Sequence, residues 1–281
     1  MRIAVIMMQR DESDLLHPWI TYHSALLGPE NLVIIDNGSI ESAALARLDQ
    51  ARSEGVRVIS APTRADFKRK GPLVQNIGRA LSETHDWIVP LDCDEFLGTF
   101  DKDRFVAGRD ELERAFRSAA RKGAVARVTH AFWNLPGQTG LYYNKIHKVA
   151  FKPQAPIKLD KGFHLFDGKS KSSLVPEGLE TASRICYLHY HNRHAAELLK
   201  SARYKLEGQV PDFRRRTLID FKGSGRHVAR YFMSEPETYH RKLKPATWDA
   251  AAVFEDVGLV PPFPTRRPRS ARRSFGACGI R

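Results

Sequence analysis

At 281 residues, 42% hydrophobic and 27% charged, the chain has the makeup of a folded globular protein able to bury a full α/β core, which excludes disordered and fibrous classes. Its formal charge of +13 is uneven: Arg266, Arg267, Arg269, Arg272, Arg273 and Arg281 supply six of those charges with no acid among them, so a basic tail rather than a basic fold carries much of the excess. Cys93, Cys186 and Cys278 are odd in number and far apart, which suits reduced thiols and excludes a Cys-pair zinc site.

The first apolar run, Ile3 to Met8, enters Gln9-Arg10-Asp11-Glu12 after six residues, too short for a signal-peptide core, and reads as a strand. Leu15, Leu16, Trp19, Ile20, His23, Leu26 and Leu27 then recur at helical spacing, and Gly28-Pro29 ends that helix. A second strand, Asn31 to Ile35, ends in Asp36-Asn37-Gly38-Ser39. A helix near Glu41 to Glu54 and a third strand, Val56 to Ser60, follow. A basic loop from Lys68 to Pro72 leads into a helix over about Leu73 to Thr84, and a fourth strand, Trp87 to Leu91, runs into Asp92-Cys93-Asp94-Glu95-Phe96.

This alternation predicts an α/β fold with a mostly parallel sheet flanked by helices, and ligands at the carboxyl ends of its strands. Beyond residue 100 the expected elements are a helix at Arg109 to Lys122, strands at Val125 to Phe132, Lys145 to Phe151 and Ile185 to Tyr190, and a helix at Ala195 to Glu207. The division that follows is a domain over 1–210, a helical or loop extension over 211–262 and a disordered basic tail over 263–281. No run approaches the ~20 apolar residues of a membrane span. The chain therefore reads as cytoplasmic, peripheral to a membrane at most, with a tail suited to anionic head groups or polyanionic glycans.

Asp92, Asp94 and Glu95 are the strongest chemical signal. On an extended segment, residues i and i+2 point the same way, so Asp92 and Asp94 can share a hard cation or a ribose. Three unpaired carboxylates beside a buried strand repel one another, and a cation is the simplest partner; solvated acids capping a strand-to-helix turn are the alternative. Asp36-Asn37-Gly38-Ser39 on its own is a turn and helix cap, but it falls at the same end of the same expected sheet, so a nucleotide can span both turns.

The order of apolar strand, Arg10-Asp11-Glu12, a helix with Trp19 and Tyr22-His23, then VIIDNGS and WIVPLDCDEF, resembles glycosyltransferases of GT-A type, families 2 and 92, clearly over residues 1 to about 100 and faintly to about 207. The resemblance implies a Rossmann-like GT-A nucleotide-binding fold and a metal-dependent transfer of sugar from a nucleotide-sugar, UDP-linked in the first instance, to a glycan or lipid acceptor in cell-surface polysaccharide synthesis. It implies that Asp36 contacts the nucleobase or ribose, with Asn37, Arg10 and Glu12 walling the nucleoside pocket. Asp92, Asp94 and Glu95 become the catalytic cluster, with Asp94 the direct ligand of Mn²⁺ or Mg²⁺, and Gln75 faces the donor. His189, in Tyr187-Leu188-His189-Tyr190-His191, completes the metal shell or touches the diphosphate, ahead of His191 and His164.

No Glu-Asp pair of the family 2 kind is visible downstream, which leaves Asp160, Asp167, Glu177 and Glu180 open as the base that takes the acceptor's proton. A sugar nucleotidyltransferase is the nearest rival, although Gln9 to Glu12 has no glycine-rich loop. The fingerprints of dinucleotide and P-loop folds do not fall in place. A nucleic-acid or polyanion-binding protein explains the charge but not the acidic turns, so no nucleic-acid partner is expected.

Overall fold

The computed structural model describes the chain except for residues 102–103, 166–177, 194, 224, 234–242, 260, 263 and 267–281. Asp167, Glu177, Cys278 and the tail beyond Arg266 therefore lie outside the described residues.

Strand β1 (Ile3–Gln9) is buried at every position because its two faces enter different layers. Ile3, Val5 and Met7 join one apolar cluster, and Ala4, Ile6 and Met8 join another. A strand covered on both faces needs a continuous apolar run, which is what the sequence supplies there. Beside β1 run β2 (Leu32–Asp36), β3 (Arg57–Ser60) and β4 (Trp87–Leu91), all parallel, in the order β3-β2-β1-β4. Helix α1 (Ser13–Leu27) covers the first face through Leu15, Leu16, Trp19 and Ile20, and α2 (Ser42–Ser53) joins it through Leu48 and Ala51.

Residues 68–72, expected as a basic loop before a helix over 73–84, are helical apart from Arg69, and the helix ends at Ala80. Helix α3 (Arg64–Lys68) opens with a capping box, in which the Thr63 side chain accepts from the Asp66 amide and Asp66 answers on the Thr63 amide. Helix α4 (Lys70–Ala80) follows, with Pro72 in its first turn, where a missing N–H is tolerated. Val74 and Ile77 of α4 cover the second face of the sheet.

After β4 the chain makes the hairpin β5 (Glu95–Asp101) and β6 (Arg104–Val106), neither of which the sequence pattern announced, and then α5 (Arg109–Ala120). The long pair β7 (Val125–Asn134) and β9 (Gly140–Phe151) flanks a short β8 (Gly137–Gln138). Strands β10 (Glu180–Ala182) and β11 (Ile185–His189) follow. The sheet continues as β4-β9-β7-β11-β5-β6, with β7 and β11 parallel and the other neighbours along this run antiparallel. The α/β class is as expected, with the parallel character concentrated in the first half.

Helices α6 (Ala195–Leu206), α7 (Arg215–Asp220) and α8 (Arg226–Ala229) form a third apolar cluster around Ala202, Leu206, Leu218 and Val228. The chain then returns to the sheet, where Trp248 pairs with Leu141 and Phe254 packs into the first cluster. No helix among the described residues is long and apolar enough to cross a membrane.

Candidate active site at the carboxyl end of β4

The acidic segment turns rather than extends. The Glu95 amide donates to the Asp92 carbonyl at 3.1 Å, and the Glu95 carboxylate accepts from the Asp92 amide at 2.9 Å, so the carboxylates of Asp92 and Asp94 diverge toward different partners. The Asp92 carboxylate meets the ammonium groups of Lys70 and Lys148, the latter at 2.8 Å. Glu95, fully buried, takes Lys148 Nζ on both oxygens at 2.6 and 2.7 Å.

The expectation that these acids lack protein partners is thereby corrected: two lysines neutralise Asp92 and Glu95. Burial alone would raise the Asp92 carboxyl, but Lys148 and Lys70 hold it below the usual range. Burial pushes Glu95 up despite Lys148, and the two acids together raise Lys148 against its own burial.

Asp94 faces the other way. Its carboxylate lies 3.5 Å from His189 Nε2 and 3.8 Å from Arg193, and Arg193 also donates to Glu12 at 2.6 Å. Against its burial, His189 and Arg193 hold Asp94 well below the ordinary carboxylate range, while Asp94 raises His189. His191 is pushed down to about 3, first by burial and then by the neighbouring His189 charge.

Strand register brings these groups together. His189 on β11 pairs with Glu95 on β5 and with Trp133 on β7, and the Tyr190 amide donates to the Asp94 carbonyl at 2.7 Å. Beyond β11, Asn134 and Asn192 exchange side-chain and main-chain hydrogen bonds of 2.7 to 2.9 Å, which fix the chain between His191 and Arg193. Ligand atoms of Asp94, His189 and His191 all lie within 4.8 Å of one another, as do those of Asp92, Asp94 and Glu95. His189 Nδ1 is buried with no hydrogen-bond partner.

At the carboxyl end of β2, Asp36 Oδ1 accepts from Gln9 Nε2 at 2.9 Å and from the Ser39 hydroxyl at 2.6 Å. Asn37 donates to the carbonyls of Ala61 and Thr63 and accepts from the Tyr204 hydroxyl at 2.8 Å. Arg10 lies over the Tyr204 ring, 4.7 Å from its centre. Arg10, Asp36, Asn37 and Glu12 therefore do share one region, with Tyr204 of α6 seated among them.

Gln75 sits elsewhere. Its amide donates to the Ile157 carbonyl and accepts from the Leu159 amide at 2.8 Å, so both ends are taken up in lashing residues 157–159 to α4. Among the downstream acids, Glu180 is engaged by Arg127 through two bonds of 2.7 Å. Asp160 accepts from the amides of Gly162 and His164 at 2.8 and 2.9 Å and faces His164 Nδ1 at 3.0 Å. Although half-buried, it is held down to about 2 by those bonds. Between them, buried Phe163 adopts a left-handed φ of 62° and lays its ring 4.3 Å from Lys70 Nζ and 5.2 Å from Lys148 Nζ. The turn thus abuts the acid cluster.

Lys70, Lys148, Arg193 and Tyr204 escape the motif reading. The available signal is a lysine embedded in an apolar strand run, as in Lys148-Val149-Ala150-Phe151, where only a buried counter-charge makes the residue tolerable.

No protein-family model matches the chain, and no curated protein matches it. Among solved structures, S. aureus TarS (its 1–349 fragment) aligns at TM-score 0.41 and 10% identity over 83% of this chain and 71% of that one. The same fragment in complex with UDP-GlcNAc aligns at TM-score 0.32 and 15% identity over 46% of this chain, which spans about a third (34%) of that chain's length. A cytidylyltransferase from Leptospira borgpetersenii aligns at TM-score 0.32 and 14% identity over 54% of this chain and 61% of that one. At these TM-scores the likenesses carry no argument of their own, and the α/β fold stands on the strand order above.

Proposed function

We propose that the chain is a metal-dependent glycosyltransferase of GT-A type that moves a sugar from a nucleotide-sugar, UDP-linked, to a glycan or lipid-linked acceptor. The observation that carries this reading is the cluster of Asp94, His189 and His191 beside Asp92 and Glu95 at the carboxyl end of β4, where an open α/β sheet binds its ligand. The residues fit a divalent cation: one carboxylate and two imidazoles make a mixed oxygen and nitrogen donor set, which suits Mn²⁺ better than Mg²⁺, and His189 carries a buried nitrogen without a partner. A cation held by Asp94, His189 and His191 would supply Lewis-acid stabilisation of the departing diphosphate.

The chain's own residues supply the rest. Lys70 and Lys148 fix Asp92 and Glu95 and offset their charge, so that a diphosphate does not meet bare carboxylates there. Arg10, Asp36, Asn37 and Glu12 bound the nucleoside end, with Tyr204 as a ring surface for the base. The Asp160–His164 turn, whose Phe163 ring lies against Lys70 and Lys148, supplies the base: His164 Nδ1 faces the Asp160 carboxylate, which leaves Nε2 to take the proton. As the acceptor oxygen bonds the anomeric carbon, the bond from that carbon to the diphosphate breaks with its electron pair leaving on the phosphate oxygen. The acceptor's hydroxyl proton passes to His164 Nε2.

A panel of nucleotide-sugars, incubated with and without Mn²⁺ and assayed for release of the nucleoside diphosphate, tests the reading. Turnover should need the cation, vanish in Asp94→Asn, and fall about 10²- to 10⁴-fold in His164→Ala with UDP affinity retained. A full panel with no metal-dependent release, or an Asp94→Asn variant as active as the parent, would overturn it.

A further inference from the structure

A groove of about 540 Å³ runs between α4 and residues 157–161, outside the acid cluster. Lys68, Arg79, Lys158 and Lys161 stand around it, over a floor that includes buried Ile157 and Leu159. Its one acid, Asp160, already accepts from two amides and faces His164. Among the described residues, Lys68, Arg79 and Lys158 have no carboxylate within salt-bridge distance. Lys68, Arg79 and Lys158 around one concavity create a potential that concentrates anions, and their flexible or forked donors match phosphate oxygens. No aromatic ring among the described residues lines the groove, so it offers a nucleobase nothing to stack on.

The walls are fixed before any ligand arrives. Gln75 ties Ile157 and Leu159 to the helix, and a Cβ at Gly71 would collide with the carbonyl oxygens of Leu159 and Asp160. Lys68, Pro72, Gln75, Asn76 and Arg79 share one side of the helical stretch, about 16 Å long at 1.5 Å per residue. Its near end lies two residues from Lys70, which bonds Asp92, and the 157–161 segment leads into the Phe163 turn against the same lysine. The groove and the acid cluster are thus connected through Lys70 and the Phe163 turn.

We propose that this groove binds a phosphate group carried by the acceptor. That the phosphate belongs to an acceptor rests on the glycosyltransferase reading; that the groove takes phosphate rests on the groove alone.

Amide-resolved NMR titrations of the full chain with inorganic phosphate, glycerol phosphate and short-chain phosphatidate test it. Shifts are expected at residues 68–79 and 157–161, and the double variant Arg79→Gln/Lys158→Gln should bind each probe about tenfold more weakly or worse. Both side chains are exposed, so the variant should melt with the parent. Preference for phosphatidate would point to a lipid-borne phosphate, and equal binding of glycerol phosphate to a glycan-borne one. Absence of shifts in these two segments, or equal affinity in parent and double variant, would overturn the proposal. A parallel UDP titration separates the two ideas: failure to bind UDP would sink the donor reading and leave a positive phosphate result standing.

Discussion

Replacing Lys148 with Met removes the ammonium group that holds two carboxylates while keeping the length of the side chain. In the native protein Nζ meets Asp92 Oδ2 at 2.8 Å and both Glu95 oxygens at 2.6 and 2.7 Å. Asp92 keeps Lys70 and is a third exposed, so its loss is that of a partly solvated pair, about 1 kcal/mol or less. Glu95 is fully buried and keeps the Asp92 amide; it loses its hydrogen-bonded cation, for which His189 Nε2, 3.9 Å away and shared with Asp94, is a weak substitute. Breaking a buried pair from one side costs about 3 to 5 kcal/mol, a large share of the roughly 5 to 15 kcal/mol that stabilises a domain.

Urea unfolding of the parent, Lys148→Met and Lys148→Met/Glu95→Gln measures the effect. Glu95 is already raised by burial in the parent, and losing Lys148 raises it further. A carboxyl raised in the folded state binds its proton more readily there than in the unfolded chain, so the deficit should be greatest near neutral pH and shrink as pH falls toward 5. The double variant, whose amide needs no cation, should recover more than half of the deficit. A loss below about 1 kcal/mol in Lys148→Met, or a double variant no more stable than Lys148→Met, would refute the view that Lys148 neutralises a buried charge.

His23 gives a second test. Its Nδ1–H donates to the Trp19 carbonyl at 2.8 Å, its Nε2 accepts from the Leu97 amide at 3.2 Å, and burial lowers it from 6.5 to about 3. A histidine depressed in the folded state stabilises in full above its unfolded pKa, and that stability drains as pH falls from 6.5 toward 3, at ~1.4 kcal/mol per pH unit. Relative to His23→Gln, the parent should therefore lose stability between pH 6.5 and 4; parallel pH profiles would dismiss the locked tautomer. Tyr204 gives a third: Tyr204→Ala should weaken UDP about tenfold, the scale of one lost base-stacking contact, while Tyr204→Phe stays near the parent, as read by calorimetry. Undiminished binding in the alanine variant would remove the ring from the base site.

The parallel half of the fold was legible because burial on both faces forces an unbroken apolar run, and Ile3 to Met8 or Trp87 to Leu91 cannot be read otherwise. The doublet Tyr22-His23, met in the sequence only as part of a resemblance, has a local physical purpose. The Tyr22 hydroxyl donates to the Leu97 carbonyl at 2.8 Å while His23 accepts from the Leu97 amide, so α1 seats β5, the strand that begins with Glu95. Strands β5 and β6 were missed because Phe96 to Val106 alternates too weakly to announce a hairpin; its pairing with β11, some ninety residues later, decides it.

The acid cluster was legible as a cluster, but its partners were not, and the reason is general. A carboxylate triplet displays its charge locally, whereas its counter-charges can come from anywhere the fold brings near. Here Lys70 opens α4, Lys148 lies in β9 and Arg193 follows β11. The lysines satisfy Asp92 and Glu95, and Asp94 faces His189 and Arg193 instead, so under the proposed function any cation falls to Asp94, His189 and His191. The same logic bears on Asp36: its oxygens are engaged by Gln9 and Ser39, so its carboxylate shapes the turn whether or not a ribose is present, and under the proposed function the nucleoside contacts fall more heavily on Arg10 and Tyr204.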